Sequence, residues 1–183
     1  MRLAGRPSKR IAGIANRRSE KARRVSSTEL SHLRRTIDLA CSAVADGERP
    51  FAAVLVGYNG KLLGEACNNV VTSGDPLKHA EMNVLRNAHL RHGTGRMRNS
   101  AIYVNGEPCT MCAGAIIRYG ISRVVFGLPE AELWPYVRSN SLPVSYPSAP
   151  VFALARPRIK VISGLLMAYA RRPFEMYAAK ERR

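Results

Sequence analysis

The first folded element is predicted by apolar residues that recur at steps of three and four positions. Ser26, with Glu29 three residues later, has the pattern of a capping box, which favours a helix start. The apolar repeat that follows is Leu30, Leu33, Ile37, Cys41 and Val44. Because this spacing places side chains on one helix face, we predict a helix near 28–46 that Gly47 ends.

Downstream of this helix, short apolar runs alternate with helical repeats. The predicted strands are Phe51–Gly57, Lys61–Cys67, Ala101–Val104, Arg123–Phe126 and Arg158–Ile162. The predicted helices are 79–91, Cys109–Tyr119, Pro129–Val137 and Leu165–Lys180, the last interrupted by Pro173. Asn59-Gly60 predicts a hairpin turn, whereas Asn68–Lys78 and Pro143–Pro157 are predicted to be loops. Strands that alternate with helices indicate an α/β layered domain.

The composition agrees with one soluble domain that carries a basic extension. The chain has 183 residues, 46% of them hydrophobic, and no apolar run approaches the roughly eighteen residues that a membrane span needs. The net charge is +16, and residues 1–25 contain nine Lys or Arg against Glu20 alone. We therefore predict a basic extension at 1–25, a domain at 26–183 and no membrane partner.

The cellular location is predicted from the cysteines and from the N-terminal composition. Four cysteines without a secretory signal are too few for a disulfide framework, so a reducing, cytoplasmic compartment is expected. The Arg/Ser-rich, acid-poor character of residues 1–25 is typical both of a transit peptide and of a flexible basic arm. Organellar targeting therefore stays open, as does a solvated extension without a specific task.

Three residues at two predicted helix starts form a candidate zinc site. His79 and Glu81 make an H-x-E pattern, and Cys109 and Cys112 lie in a P-C-x-x-C pattern. Pro108 suits the first position of a helix, and a helix from Cys109 directs both thiols to one side, where the helix N-terminus favours thiolates. With the imidazole of His79 they provide three ligands for a tetrahedral Zn²⁺, which leaves one position open for water.

Glu81 is the candidate proton carrier of this site. Three protein ligands and an open position are typical of catalytic zinc, which lowers the pKa of bound water toward roughly 7. Glu81 is too close in sequence to His79 to share its direction on a regular helix. We therefore expect Glu81 to take a proton from water, to protonate the ring nitrogen beside the attacked carbon and then to protonate the departing amine. The alternative is a closed structural zinc site with Cys67 as fourth ligand, which would leave Glu81 without a task.

These motifs resemble the cytidine deaminase-like superfamily, in particular its branch of nucleobase and tRNA-adenosine deaminases. The similarity runs from about Thr28 to Gly127, and the stretches that carry it are 50–56, 68–81, 107–115 and 116–123. The resemblance implies a three-layer α/β/α sandwich around a mixed five-stranded sheet, one Zn²⁺ per chain and a homodimer. The two metal motifs are strongly specific for the superfamily, but they give almost no information about the substrate.

The resemblance also implies three substrate-binding residues. Asn68, eleven residues before His79, matches the position of a substrate-binding amide. Phe51 matches an apolar wall of the pocket, and Glu107 is expected to offer backbone contacts near the leaving amine. Without the resemblance, Asn68 would be interpreted as a turn residue and Phe51 as a core residue.

Different parts of the chain resemble deaminases of different substrates. Asn68–Pro76 resembles the guanine deaminase loop, Cys112–Ile121 is closer to fungal-type cytosine deaminase, and the same helix with Glu107 also matches bacterial tRNA adenosine deaminases. The sequence after Gly127 departs from the Lys-Thr-Gly-like stretch that is usual in the tRNA enzymes. Segment 128–160 is therefore expected to decide specificity.

Three functions follow from these observations. We favour a zinc-dependent hydrolytic deaminase of a nucleobase, nucleoside or related aminoheterocycle, with guanine or cytosine first and ammonia as product. Deamination of adenosine in tRNA is the alternative, and the basic charge of the chain keeps RNA as a second-choice partner. A non-catalytic zinc protein that binds RNA is the third interpretation, against which the presence of Glu81 counts.

Overall fold

The computed structural model describes residues 25–137 and 147–182. Almost all of the basic extension predicted at 1–25 lies outside the described residues, as does part of segment 128–160. The predictions for the extension therefore stay predictions. Within the described ranges, no helix combines the length and the apolar character needed to cross a membrane.

Strands and helices alternate along the described chain. The strands are β1 (Ala52–Val56), β2 (Leu62–Cys67), β3 (Ala101–Gly106), β4 (Arg123–Leu128) and β5 (Lys160–Ile162). The helices of the first part are α1 (Ser27–Ala45), α2 (Val70–Ser73), α3 (Ala80–His92), α4 (Thr94–Met97) and α5 (Thr110–Arg118). Those that follow β4 are α6 (Glu130–Leu133), α7 (Ser148–Ala153), α8 (Met167–Ala170) and α9 (Arg172–Glu181).

The five strands form one mixed sheet in the order β2-β1-β3-β4-β5. β1 runs antiparallel to both of its neighbours, and Ala53 lies opposite Ala66 of β2 and Val104 of β3. β3, β4 and β5 are parallel to one another. This arrangement confirms the mixed five-stranded sheet.

Alternate residues of β1 contact different helix layers. Ala53 and Leu55 belong to a buried cluster that α3, α5 and α7 complete. Val54 and Val56 point to the other face, where the cluster includes Leu39 of α1. Because side chains alternate along a strand, one short apolar run thus supports packing on both faces of the sheet. The three-layer α/β/α sandwich is confirmed.

The capping box predicted at the start of α1 is present. The hydroxyl of Ser26 accepts a hydrogen bond from the backbone N–H of Glu29 at 3.1 Å. In return, the carboxylate of Glu29 accepts one from the backbone N–H of Ser26 at 2.9 Å. These two bonds satisfy donors that a helix start leaves free, which explains why the helix begins where the sequence predicts it.

Two segments predicted to be loops contain short helices. α2 lies inside the predicted loop Asn68–Lys78, and α7 lies inside the predicted loop Pro143–Pro157. The second loop was predicted from its prolines, but Pro147 is the N-cap of α7 and Pro150 lies within this helix. A short helix of this kind leaves little apolar periodicity in the sequence.

The two helices predicted beyond β4 differ in extent from the helices of the structure. The helix predicted at Pro129–Val137 is limited to α6, and the one predicted at Leu165–Lys180 is divided into α8 and α9. The predicted interruption is present, but it falls at Arg171, two residues before Pro173, which lies in the first turn of α9. Proline is well suited to a first turn because its missing N–H has no helical partner there.

Candidate metal centre and adjoining cavity

The two ligand-bearing helices each begin one residue later than the sequence suggests. His79 is the N-cap of α3, and Cys109 is the N-cap of α5, so both residues have extended backbone rather than helical backbone. Pro108 consequently lies before the cap and not at the first helical position, which corrects that prediction. The extended backbone directs His79 and Cys109 away from their helices, toward the space between the two helix starts.

His79, Cys109 and Cys112 meet in this space. Their ligand atoms all lie within 4.8 Å of one another. Nδ1 of His79 is 3.6 Å from Sγ of Cys109 and 3.6 Å from Sγ of Cys112. A tetrahedral zinc ion with its usual Zn–S and Zn–N bond lengths holds sulfur and nitrogen about 3.6 Å apart. The three side chains therefore fit zinc in both chemistry and spacing.

Cys67 does not join this group. Its Sγ lies 3.5 Å from the carbonyl oxygen of Leu39 on α1, where the thiol donates a weak hydrogen bond. Within residues 25–137 and 147–182, the cluster contains His79, Cys109 and Cys112 and no fourth His, Cys, Asp or Glu. The described residues thus do not support the closed structural site that we considered as an alternative.

The electrostatics of the three side chains favour a thiolate at Cys109. Hydrogen bonds from Cys112 and then from His79 lower the pKa of Cys109 to about 4. The same contact with Cys109 raises the pKa of His79, because the thiolate stabilises the imidazolium. A thiolate that is already favoured by its neighbours is a suitable ligand for a divalent cation.

Glu81 lies in the first turn of α3 and is almost completely buried, with 4% of its surface exposed. Burial raises the pKa of Glu81 to about 7, and the neighbouring Cys109 thiolate acts in the same direction. Free carboxyl groups are rarely buried to this degree without a task. Since it is outside the ligand cluster, Glu81 is available for proton transfer.

A cavity of about 180 Å³ opens directly beside the metal ligands. Its lining residues come from the two helix starts, from the segments before β1 and after β2, and from α6 with the residues that follow it. They are Arg49, Phe51, Asn68, His79, Glu81, Glu107, Pro108, Cys109, Glu130, Leu133, Trp134 and Val137. The predicted metal, proton-transfer and substrate-binding residues thus line one cavity, apart from Cys112, which is buried and is not among the lining residues.

Asn68 and Phe51 form part of the cavity wall from fixed positions. Asn68 is buried, and its side-chain oxygen accepts a hydrogen bond from the N–H of Val70 at 3.0 Å, so its amide NH₂ remains as the donor group. Phe51 packs edge-to-face against Phe174 of α9, with the ring centroids 5.3 Å apart. Both residues have structural contacts as well as a place at the cavity, and their substrate-binding roles stay predictions.

Glu107 acts through its side chain in a way that the sequence did not reveal. Its Oε2 accepts a hydrogen bond from the N–H of Glu130, and its Oε1 accepts from both the N–H and the hydroxyl of Ser148. The backbone N–H of Glu107 is already used, because it donates to the carbonyl of Leu128 at 2.9 Å. The predicted backbone contact with a substrate is therefore left to the carbonyl oxygen.

Sequence reasoning missed several residues of the cavity wall. Arg49, Leu133 and Val137 line the cavity. They carry no recognisable motif, and a single arginine between a helix and a strand gives no signal in one sequence. Trp134 was considered as a stacking residue, and it does lie at the cavity. Tyr136, considered with it, packs instead against the buried cluster that contains Phe174.

Comparison with known proteins gives the same family as the site geometry. The family model for the cytidine and deoxycytidylate deaminase zinc-binding region matches residues 26–128. The tRNA-specific adenosine deaminase of Haemophilus influenzae is 45% identical over 98 residues, which cover 54% of this chain and 57% of that protein. The guanine deaminase of Bacillus subtilis is 42% identical over 85 residues, which cover 46% of this chain and 54% of that protein.

A solved structure of the guanine deaminase from Nitrosomonas europaea shares the fold. It has a TM-score of 0.71 and 23% identity, and the match covers 87% of this chain and 91% of that one. By contrast, the chain spans little more than half the length of the two curated relatives. The matched region 26–128 contains the three metal-binding residues and Glu81, and the chain therefore belongs to the cytidine and deoxycytidylate deaminase zinc-binding family.

Proposed function

We propose that the protein is a zinc-dependent hydrolytic deaminase that removes the exocyclic amino group of a nucleobase-type ring and releases ammonia. Guanine and cytosine are the first candidates for the ring. The observation that carries the proposal is the position of Glu81, which is buried at the wall of the same small cavity as His79 and Cys109. A structural zinc site has no use for a buried carboxyl group at this place.

The size of the cavity favours a small substrate. A volume of about 180 Å³ is below the roughly 300–1,000 Å³ that is typical of sites for drug-sized ligands, so the cavity accommodates one ring system. Phe51 and Trp134 provide aromatic surface, which suits the flat face of a heterocycle. The amide of Asn68 provides a donor for a polar atom at the edge of that ring.

The metal ligands, Glu81, Asn68 and the aromatic residues of the cavity have different parts in the proposed reaction. When bound by His79, Cys109 and Cys112, zinc supplies Lewis-acid activation of water. Glu81 takes a proton from the attacking water and passes it to the ring nitrogen beside the attacked carbon. It then takes the proton of the newly attached hydroxyl group and delivers it to the amine, so that the carbon–oxygen double bond forms as the carbon–nitrogen bond breaks and ammonia leaves. Asn68 and the aromatic wall hold the ring so that the carbon bearing the amino group faces the metal.

The test is ammonia release by the purified, zinc-loaded protein with guanine, cytosine, adenine, their nucleosides and a tRNA anticodon stem-loop. We expect release from a base or a nucleoside, and loss of release in Glu81→Gln with zinc still bound. Glu65→Gln is the matched control, because Glu65 pairs with Arg35 at the surface and does not line the cavity. Activity that survives in Glu81→Gln would contradict the proposed role of Glu81.

Deamination of adenosine in tRNA is the second candidate. It is supported by the 45% identity with the tRNA-specific adenosine deaminase of Haemophilus influenzae over 98 residues. Release of ammonia from the stem-loop alone would favour this candidate. Silence on every substrate, with RNA bound equally well by wild type and Glu81→Gln, would instead favour the non-catalytic zinc protein.

We also propose that the protein is a homodimer in the cytoplasm. The dimer is supported by the family resemblance, and the cytoplasmic location by the low number of cysteines. Sedimentation equilibrium of the full chain tests the first point, since a single species of monomer mass contradicts it. Fractionation of cells that express the full chain tests the second, and recovery in an organelle would contradict it.

A further inference from the structure

Next to the cavity that holds the metal ligands lies a second, larger and more polar cavity of about 370 Å³. Its lining comes from three parts of the chain: the segment before β1, the residues after α6, and α9. The residues are Arg49, Pro135, Tyr136, Tyr177, Ala178, Glu181 and Arg182. The proposed deaminase reaction gives this cavity no task.

Arg49 is the residue that the two cavities share. It is partly buried, and it takes part in none of the ion pairs found among the described residues. The carboxylate of the adjacent Glu48 is directed to the backbone N–H groups of Val71 and Thr72, and it forms no ion pair with Arg49 among the described residues. A partly buried guanidinium group without a carboxylate partner has N–H donors and a positive charge available to bind an anion.

The other side chains of the second cavity also suit an anion. Arg182 adds a second positive charge, against the single negative charge of Glu181. Burial, followed by the nearby Glu181, raises the pKa of the Tyr177 phenol, which also has Glu181 as a hydrogen-bond partner. Arg49 and Tyr177 line the same cavity. Two guanidinium groups around one space are typical of a phosphate site.

We propose that the second cavity binds a phosphate group that the substrate carries on its ribose. This inference rests on the proposed function, and it narrows the substrate to a nucleotide whose base enters the first cavity while its phosphate passes Arg49 into the second. The phosphate can belong to a free nucleoside monophosphate or to a nucleotide within RNA. Arg49 and Arg182 recognise it in both cases.

The first experiment compares the base, the nucleoside and the nucleoside 5′-monophosphate of the accepted ring, each by ammonia release. In the wild type we expect kcat/KM to be about tenfold or more higher for the monophosphate than for the nucleoside. In Arg49→Gln that preference should fall by about 10- to 100-fold. Arg118→Gln is the matched control, because Arg118 is exposed, takes part in none of these ion pairs and lines neither cavity.

The outcomes separate the phosphate site from the deaminase proposal. Equal kcat/KM for nucleoside and monophosphate in the wild type overturns the phosphate site and leaves the deaminase intact. A preference that survives in Arg49→Gln overturns the role of Arg49. Turnover of the stem-loop but not of the monophosphate, lost in Arg49→Gln, identifies RNA as the source of the phosphate.

A binding measurement decides the question even if no substrate is turned over. Zinc-loaded Glu81→Gln protein is titrated calorimetrically with ribose 5-phosphate, with and without the additional Arg49→Gln substitution. We expect Arg49→Gln to weaken binding by about tenfold or more, and Arg118→Gln to leave it unchanged. Equal binding by all three proteins, each shown to be folded by its thermal transition, overturns the proposal.

Discussion

The carboxylate of Glu107 lies 2.7 Å from the hydroxyl of Ser148, although the two residues are 41 positions apart in the chain. The same oxygen also accepts the backbone N–H of Ser148, and the other oxygen accepts that of Glu130. One side chain thus fixes the starts of both α6 and α7. Because α6 carries Leu133, which lines the cavity next to the metal ligands, Glu107 connects the metal-binding motif to the part of the cavity wall that follows β4.

We predict that Glu107→Gln destabilises the protein by about 1–3 kcal/mol, because an amide group cannot accept all three hydrogen bonds. The free energy of unfolding from guanidinium denaturation measures this loss. Turnover should fall as well, since the cavity wall loses its anchor. Glu132→Gln is the control, because its ion pair with Arg171 is partly exposed to solvent, which screens the two charges, and should contribute little to stability. Equal loss in both variants would show that Glu107 has no special role.

Removal of one metal ligand should release zinc. We predict that Cys112→Ser purifies with far less than one zinc per chain and unfolds at a lower temperature, because two ligands hold zinc much more weakly than three. Metal content by mass spectrometry and thermal unfolding measure the two effects. Cys67→Ser is the matched control, because the thiol of Cys67 contacts the carbonyl of Leu39 and not the metal group. Zinc loss from Cys67→Ser would revive the closed, four-ligand site.

The metal-binding residues could be predicted from the sequence because the signals that mark them are local. Cys109 and Cys112 are three residues apart, His79 and Glu81 are two apart, and each pair lies at a helix start whose position follows from short-range signals. The sheet could be predicted for the same reason, since each of its strands is a short apolar run. What the spacing alone did not give is the distance between the two helix starts, which the packing of α3 and α5 on the sheet sets.

The cavity wall beyond Gly127 could not be predicted in this way. Leu133, Trp134 and Val137 lie at the cavity because Glu107 holds the start of α6, a contact between residues more than twenty positions apart. Arg49 was missed because its significance depends on which charges lie near it in space. Neither relationship leaves a periodic or motif signal in a single sequence, and both depend on tertiary contacts.

The stability contributed by Glu29 should depend on pH. Glu29 closes the capping box with Ser26 and pairs with Arg123 of β4, and both side chains of the ion pair are largely buried. Burial alone would raise the pKa of Glu29, but the hydrogen bond from Ser26 and the charge of Arg123 outweigh it, so the pKa lies below its ordinary value. A carboxylate with a lowered pKa stabilises the folded state above its unfolded pKa, and this stability is lost as the pH falls through the folded pKa.

We therefore predict that Glu29→Gln lowers the free energy of unfolding by about 1–2 kcal/mol at pH 7. The difference from the wild type should shrink as the pH falls through the lowered pKa of Glu29, where the carboxylate of the folded wild type takes up a proton. Urea denaturation at a series of pH values measures it. Glu65→Gln provides the comparison, because its partner Arg35 is 53% exposed and the pair should contribute little at any pH. A pH-independent difference for Glu29→Gln would contradict the electrostatic account.

Two glycines should respond to the same substitution in opposite directions. A Cβ atom at Gly127 of β4 would lie 2.7 Å from the Cβ of Ala170 and 2.7 Å from the carbonyl oxygen of Asn105, so there is no room for a methyl group. Gly127→Ala should therefore destabilise the protein by about 1–3 kcal/mol through overpacking of α8 against the sheet. At Gly114, within α5, a Cβ atom would meet nothing within 4 Å, and alanine has the higher helix propensity. Gly114→Ala should stabilise the protein by about 0.5–1 kcal/mol. Thermal and guanidinium unfolding of the zinc-loaded variants measure both changes, and a Gly127→Ala protein as stable as the wild type would show that α8 does not pack on β4 this closely.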